Sequence, residues 1–175
     1  MFLDLSRLED GHLDARFKID GMSPVVSGFE AEVQEPLILD VTPRNPSGSI
    51  YVLTGRLTGT VIAPCRRCLT PTSIPIEVPL RVVYQEQGRD ARESEGTGDD
   101  DIVWIDRGAT RIELDPQVRD RLFLETERFP LCTPDCKGIC PQCGQNFNEG
   151  SCDCTFETVD SRWEALERLK FEREG

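Results

Sequence analysis

Residues 49–84 read S-I-Y-V-L-T-G-R-L-T-G-T-V-I-A-P-C-R-R-C-L-T-P-T-S-I-P-I-E-V-P-L-R-V-V-Y, and two β-like runs enclose a pair of cysteines. Residues 49–62 are rich in β-branched and aromatic side chains, which favour strands. Residues 74–84 alternate apolar and polar side chains, and their prolines indicate an edge strand. The stretch therefore predicts a β-hairpin with Cys65 and Cys68 at its tip.

Further strands are predicted on both sides of this hairpin. Residues 25–41 contain β-formers with partial alternation, and residues 102–106 and 110–114 read as a pair of short strands. Gly55 and Gly59 are candidate β-bulges, because glycine inside a strand often marks one.

Two helices are predicted in the second half. Asp115 followed by Pro116 is typical of a helix N-cap and first turn, and this helix would end before Pro130. Its apolar face would comprise Val118, Leu122 and Phe129. Residues 161–164 have capping-box spacing and would open a short C-terminal helix. Its apolar stripe, suited to core or helix packing, would comprise Trp163, Leu166 and Leu169 or Lys170.

The chain is expected to be an α+β protein with three parts. These are a β-rich part with the CxxC hairpin (residues 1–84), an acidic linker (85–101), and a part with the strand pair, the helix, a cysteine-rich zinc module and the short C-terminal helix (102–175). The linker has no apolar residue except Ala91, which is typical of a solvated connection. The other two parts would form one integrated domain.

Six of the eight cysteines lie in residues 131–154, which read L-C-T-P-D-C-K-G-I-C-P-Q-C-G-Q-N-F-N-E-G-S-C-D-C. A CxxC followed by glycine can grip one metal ion from a tight turn, and a later CxC completes four sulfur ligands. This local site would comprise Cys140, Cys143, Cys152 and Cys154. Four thiolates leave no open position, so such a site is structural rather than catalytic.

The remaining four cysteines suggest a second, long-range site. It would clip the hairpin tip to the cysteine-rich module and would comprise Cys65, Cys68, Cys132 and Cys136. Other partitions of the eight cysteines, and a single site with several free thiols, are the alternatives. Zinc is favoured over iron because a rubredoxin-like site needs two matching CxxCG motifs and only one is present.

The composition limits the classes of function that this chain can have. The chain has 175 residues and a formal charge of −12, which argues against a broad phosphate-binding surface and is consistent with a basic protein partner. No apolar run reaches the length of a membrane span and the N-terminal residues do not resemble a signal peptide, so a cytoplasmic protein is expected, where thiols stay reduced. His12 is the only histidine, and no nucleotide-binding or catalytic motif is present. We therefore expect no enzyme and no small-molecule substrate.

The order of these motifs resembles the YceD family of bacterial and plastid "large ribosomal RNA subunit accumulation" proteins. The resemblance covers roughly residues 64–154: C-R-R-C-L-T-P, an acidic loop, I-E-L-D-P with a helix ending F-P-L-C, and the cysteine cluster. It implies a noncatalytic role in accumulation or maturation of large-subunit ribosomal RNA and carries over no catalytic residue.

Two direct partners fit that role. Arg66 and Arg67 at the hairpin tip are candidate phosphate contacts if the ligand is ribosomal RNA, although they could instead pair with the acidic loop or the thiolates. The acidic surface favours a basic ribosomal protein. A zinc-thiolate redox sensor and a general zinc-ribbon interaction module are the alternative functions.

Overall fold

The computed structural model describes residues 1–8, 13–87, 102–126 and 130–155. In these ranges the strands are β1 (Phe2–Asp4), β2 (Ala15–Ile19), β3 (Leu37–Arg44), β4 (Ile50–Pro64), β5 (Pro71–Glu86), β6 (Ile102–Ile105) and β7 (Arg111–Glu113), and the helix is α1 (Asp115–Glu125). Two 3-10 helices span Leu5–Arg7 and Pro24–Val26. The predicted mixed α+β class is confirmed, as a β-rich fold with one α-helix in the described residues.

The long hairpin predicted from residues 49–84 is the centre of the fold. β4 and β5 pair antiparallel without interruption from Ile50 opposite Gln85 to Pro64 opposite Pro71. The turn between them holds Cys65 and Cys68, as the sequence predicts. β2 and β3 extend the sheet antiparallel on one side and β6 adds in parallel on the other, giving the order β2-β3-β4-β5-β6.

One face of this sheet forms the core. Along β5 every second side chain is buried, from Ile74 to Tyr84, because a strand with one covered face places alternate residues inward. Val118 and Leu122 of α1 are buried against this face. β7 pairs with β1 in a separate two-stranded sheet, so Leu3 of β1 and Ile112 of β7 share one apolar cluster with the core.

The predicted strand over residues 25–41 is correct only for its last part. Ser23 caps the 3-10 helix Pro24–Val26 by accepting a hydrogen bond from the Val25 N–H, and Gly28 follows with a φ of 76°. This proline and glycine chemistry breaks the extended conformation, so the strand begins only at Leu37 and continues to Arg44. β1, β2 and the 3-10 helices are elements that the sequence patterns did not reveal.

Gly55 and Gly59 are not bulges, because the pairing of β4 runs through both without a skipped residue. Both positions require glycine because β3 approaches β4 closely there. A Cβ at position 55 would lie 2.5 Å from the Asp40 carbonyl oxygen, and one at position 59 would lie 2.5 Å from Leu37 Cδ2.

β5 is an edge strand for part of its length. β6 covers only Val83–Glu86, so within the described residues Pro75 and Pro79 face no further strand, which suits residues without an N–H donor. Both predicted short strands are present, but they do not pair with each other. β6 pairs with β5 and β7 pairs with β1.

The helix begins one residue earlier than its predicted N-cap implies. Leu114 occupies the N-cap position without a side-chain cap, and Asp115 is inside the helix with its carboxylate 2.8 Å from the amino group of Met1. α1 ends at Glu125, where the Thr126 N–H bonds to the Leu122 carbonyl. Residues 127–129, the C-terminal helix, His12 and residues 88–101 of the acidic linker lie outside the described residues.

Candidate metal centre

The hairpin tip forms a tight knuckle around Cys65. The Cys65 N–H donates to the Thr70 carbonyl at 2.9 Å, and the Leu69 N–H donates back to the Cys65 carbonyl at 2.9 Å. The Arg67 N–H points at Cys65 Sγ at 3.5 Å. Leu69 completes the turn with a φ of 61°, a left-handed conformation that glycine usually supplies.

A second knuckle around Cys140 repeats this geometry. The Cys140 N–H donates to the Gln145 carbonyl at 2.8 Å, and the Gly144 N–H donates to the Cys140 carbonyl at 2.9 Å. The Cys143 N–H lies 3.5 Å from Cys140 Sγ, and Gly144 has a φ of 75°. The sequence reveals only one CxxCG motif, but the fold contains two equivalent knuckles, one in each cysteine group.

The first cysteine group joins the hairpin to the segment that follows α1. Cys65 Sγ lies 3.8 Å from Cys136 Sγ, and Cys68 Sγ lies 3.5 Å from Cys132 Sγ. All four sulfurs lie within 4.8 Å of one another. Three of the four side chains are buried and Cys132 is half-buried. The distant pair of cysteines is therefore brought to the cluster, as the sequence analysis predicted.

The second cysteine group is local and more open. Its four sulfurs also lie within 4.8 Å of one another. Cys140 is buried, Cys143 is exposed, and the other two are half-buried. Its members are Cys140, Cys143, Cys152 and Cys154.

The donor set fits a tetrahedral ion. With metal–sulfur bonds near 2.3 Å, the edges of a tetrathiolate tetrahedron are about 3.8 Å long, close to the sulfur separations in the first group. These distances are far beyond the roughly 2.05 Å of a disulfide, and all eight cysteines are free. Either group could hold one thiophilic ion with no coordination position left for water.

The first cysteine of each knuckle has a lowered pKa. Burial raises the pKa of Cys65, but backbone N–H groups from Cys68, Arg67 and Cys132 outweigh it and lower that pKa to about 6. The backbone N–H of Cys143 is the main cause that lowers the pKa of Cys140 to about 6.

In each group the pKa of another thiol is raised. The hydrogen bond with Cys68 raises the pKa of Cys132 to about 12, and that with Cys143 raises the pKa of Cys154 to about 12. A bound cation would replace the protons that these crowded thiols share.

Two asparagines connect the two groups. Asn148 Nδ2 donates to Cys136 Sγ at 3.3 Å, although Asn148 belongs to the loop between the two ligand pairs of the second group. Asn146 Oδ1 accepts from Asn148 Nδ2 at 2.9 Å, and Asn146 Nδ2 lies 3.5 Å from Thr70 Oγ1 in the hairpin tip. The sequence pattern does not reveal the contacts of these residues, since N-F-N reads simply as turn-rich sequence.

The two arginines at the hairpin tip have partners of their own. Arg67 Nη1 donates to the Cys136 carbonyl at 2.9 Å, so this side chain ties the hairpin to the cysteine module. Arg66 Nη2 lies 3.7 Å from Glu30 Oε2, and both side chains are exposed. A role for Arg66 and Arg67 in contacting RNA remains a prediction.

The fold and the site define a class of protein: a β-rich α+β chain with two tetracysteine groups, one of which fastens a β-hairpin to a cysteine-rich segment. In the described residues no helix is long and apolar enough to cross a membrane. The family model described as large ribosomal RNA subunit accumulation protein YceD matches residues 53–170, and the chain belongs to this family.

Relatives occur in bacteria and in plants. An uncharacterized protein of Mycobacterium tuberculosis is 33% identical over 149 residues, covering 82% of this chain and 68% of the relative. The Zea mays large ribosomal RNA subunit accumulation protein YCED homolog 1, chloroplastic, is 28% identical over 153 residues, covering 74% of this chain and 52% of the relative. Its Arabidopsis thaliana namesake is 33% identical over 105 residues, covering 57% and 33% respectively. No solved structure matches the chain.

Proposed function

We propose that this chain is a noncatalytic factor in the accumulation of large-subunit ribosomal RNA, and that it carries two structural zinc ions. Membership of the YceD family supports the role, because the family's description names this process and names no reaction. The closed tetracysteine groups support a structural use of metal.

Zinc suits the two groups better than the other common thiolate metals. In structural sites zinc is bound by four ligands in a tetrahedron, which four thiolates supply, and it takes no part in redox chemistry. In each group one knuckle pairs with a CxC or a CxxxC segment, so neither group has the two matching knuckles of a rubredoxin-like iron site. The ion would hold the hairpin and the cysteine module in a fixed relation.

Elemental analysis of the full chain, purified without chelator from cells supplied with both zinc and iron, tests the metal part. We expect about two zinc ions per chain, because the eight cysteines form two complete sets of four ligands. A ratio near one, or iron in place of zinc, would contradict the two-site proposal.

The cellular role has its own test. In cells from which this chain is deleted, large-subunit ribosomal RNA should fall relative to small-subunit ribosomal RNA, and the intact gene should restore the ratio. An unchanged ratio would overturn the proposed role whatever the metal content. Capture of the tagged chain from lysate, with and without ribonuclease, would show whether its association with ribosomal components requires RNA. The direct partner would be this RNA or a basic ribosomal protein, in a cytoplasmic compartment.

A further inference from the structure

The five-stranded sheet has a second face, opposite the core. Its side chains are the alternate residues of each strand, and the strand registers align them in rows across the sheet. One row comprises Lys18, Ile38, Thr58 and Glu77. The next two comprise Arg16, Asp40, Arg56 and Pro79, and then Asp14, Thr42, Thr54 and Arg81. A fourth comprises Arg44, Val52, Val83 and Ile102.

This outer face is cationic in an acidic protein. Its rows carry five basic and three acidic side chains, and Glu32, which bridges to Ile62, adds a fourth acid, whereas the whole chain has a formal charge of −12. The basic ones, all exposed, are Arg16, Lys18, Arg44, Arg56 and Arg81. Most acidic side chains of the described residues therefore lie elsewhere.

Three of the five cations are available for a ligand. Arg16 pairs with Asp40 and Arg56 pairs with Glu77, so four of the charges on this face are engaged with one another. Lys18, Arg44 and Arg81 have no ion-pair partner among residues 1–8, 13–87, 102–126 and 130–155. An unpaired cation keeps its full attraction for an anionic ligand, since no carboxylate must be displaced first.

One end of the same face is apolar and aromatic. Trp104 lies opposite Gln85 in the β5–β6 register, on the outer side, and is 42% exposed. Val52, Val83 and Ile102 beside it are half-buried. A partly exposed indole on the same face as unpaired arginines is the combination on which a nucleic-acid base can stack while its phosphates meet positive charge.

We infer that this outer face is an RNA-binding surface that takes a single strand of RNA, with phosphates at Lys18, Arg44 and Arg81 and a base on Trp104. The strand spacing and rise place Lys18 and Arg81 about 20 Å apart, diagonally across the sheet. The exposed hydroxyl of Thr60 lies on the same face and can donate to a phosphate or ribose oxygen. This inference rests on the proposed function and names the surface through which it would act.

The ligand follows from the distribution of charge. A basic ribosomal protein would be repelled by the unpaired cations of this face and attracted to the rest of the surface. Within the described residues, RNA would be attracted to these unpaired cations, and the mixed charges around Asp40 and Glu77 would limit its affinity. The cations project from a paired sheet, so their backbone positions are already fixed when RNA arrives, and only the side chains must be ordered.

The test measures binding of the purified, metal-loaded full chain to a labelled single-stranded RNA of mixed sequence and to a large-subunit ribosomal RNA transcript. The variant Arg44→Glu/Arg81→Glu should weaken binding at least tenfold. The control Arg7→Glu/Arg111→Glu changes the net charge equally at exposed positions away from this face and should weaken it much less. Arg81→Ala alone should reduce the slope of log affinity against log salt by about 0.7, the value for one phosphate contact with a single strand.

Trp104→Ala supplies an independent readout, because stacking does not depend on salt. It should weaken binding by about fivefold or more at unchanged salt slope, as loss of one stacked base predicts. The proposed surface would be wrong if both charge-reversal variants lost RNA affinity equally, or if the intact chain bound no RNA. The proposal would also be wrong if the chain bound no RNA but bound a purified basic ribosomal protein tightly, with an affinity that Arg44→Glu/Arg81→Glu did not change. In each case the cellular ratio of ribosomal RNAs would decide the proposed role separately.

Discussion

At the scale of single residues, the two knuckles show what a sequence pattern reveals and what it hides. Cys140-x-x-Cys143-Gly144 is recognisable because glycine fills the left-handed position after the second cysteine. Leu69 fills the equivalent position after Cys68 with a φ of 61°, and a leucine gives no such signal. Only the backbone geometry reveals that the two turns are equivalent.

Asn148 gives the residue-scale prediction. Its amide donates to Cys136 Sγ, and a donor to a thiolate stabilises the charged form that binds metal. Asn148→Ala should therefore weaken the hold of the first group on its ion by about tenfold, the lower range for loss of an outer hydrogen bond to a ligand. Competition with a graded series of chelators, followed by zinc release, measures this.

The control is Gln142→Ala in the same module. Gln142 Nε2 donates to the Thr155 carbonyl and touches no sulfur of the first group, so its removal should leave that affinity unchanged. One of the two ions should become easier to remove in the Asn148 variant while the other keeps its affinity. If Asn148→Ala and Gln142→Ala behave alike, the asparagine has no role in metal binding.

At the scale of elements, prediction succeeded where the local pattern and the tertiary environment agree. β5 alternates in sequence and in burial, because one face is covered by the core and the other is not. Residues 25–36 contain β-formers too, but Pro24 and Gly28 set the backbone there. β7 lies within a predicted strand, whereas β1 has three residues and is a strand because it pairs with β7, which no local pattern encodes.

The hairpin clamp gives the element-scale prediction. The first group joins Cys65 to Cys136, which are 71 positions apart, and a cross-link around a loop of this length is worth roughly 4 kcal/mol in the chain-entropy account. Cys65→Ser should remove one zinc ion and leave the Cys140 group loaded. It should also loosen the junction, measured as faster hydrogen exchange of the Arg66 N–H, which bonds to the Pro130 carbonyl.

The reciprocal variant, Cys143→Ser, tests the partition from the other side. Cys143 is exposed and belongs to the second group, so this variant should lose the other ion and keep the Arg66 amide protected. Loss of both ions from Cys65→Ser, or of neither, would mean that the cysteines are shared differently between the sites.

At the scale of the whole molecule, composition does not describe how charge is distributed over the surface. A net charge of −12 averages over all surfaces, and it favoured a basic protein ligand. The register of β2 to β5 places five cations on one face, which no count of residues could reveal. α1 packs on β5 and β7 pairs with β1, so we propose that the parts on either side of the acidic linker form one domain.

The acidic linker gives the prediction at this scale. Its last residue, Asp101, directly precedes Ile102, which lies opposite Val83 on the cationic face. Carboxylates within about a Debye length, roughly 8 Å at physiological salt, oppose the approach of phosphate. Replacing six acids by their amides changes the formal charge from −12 to −6. They are Asp90, Glu93, Glu95, Asp99, Asp100 and Asp101.

If RNA is the direct ligand, this variant should bind it more tightly, on the order of tenfold at low salt, mainly through faster association. Glu86 is retained, because its carboxylate accepts from the Gly108 N–H. A matched control neutralises the six acids of residues 157–174, with the same change in net charge. If the linker variant gains more RNA affinity than the control, local repulsion at the cationic face limits binding. If both variants gain equally, only the net charge of the whole protein matters. Weaker capture of a basic ribosomal protein by the linker variant, with no gain for RNA, would identify the protein as the ligand and the linker as its binding site.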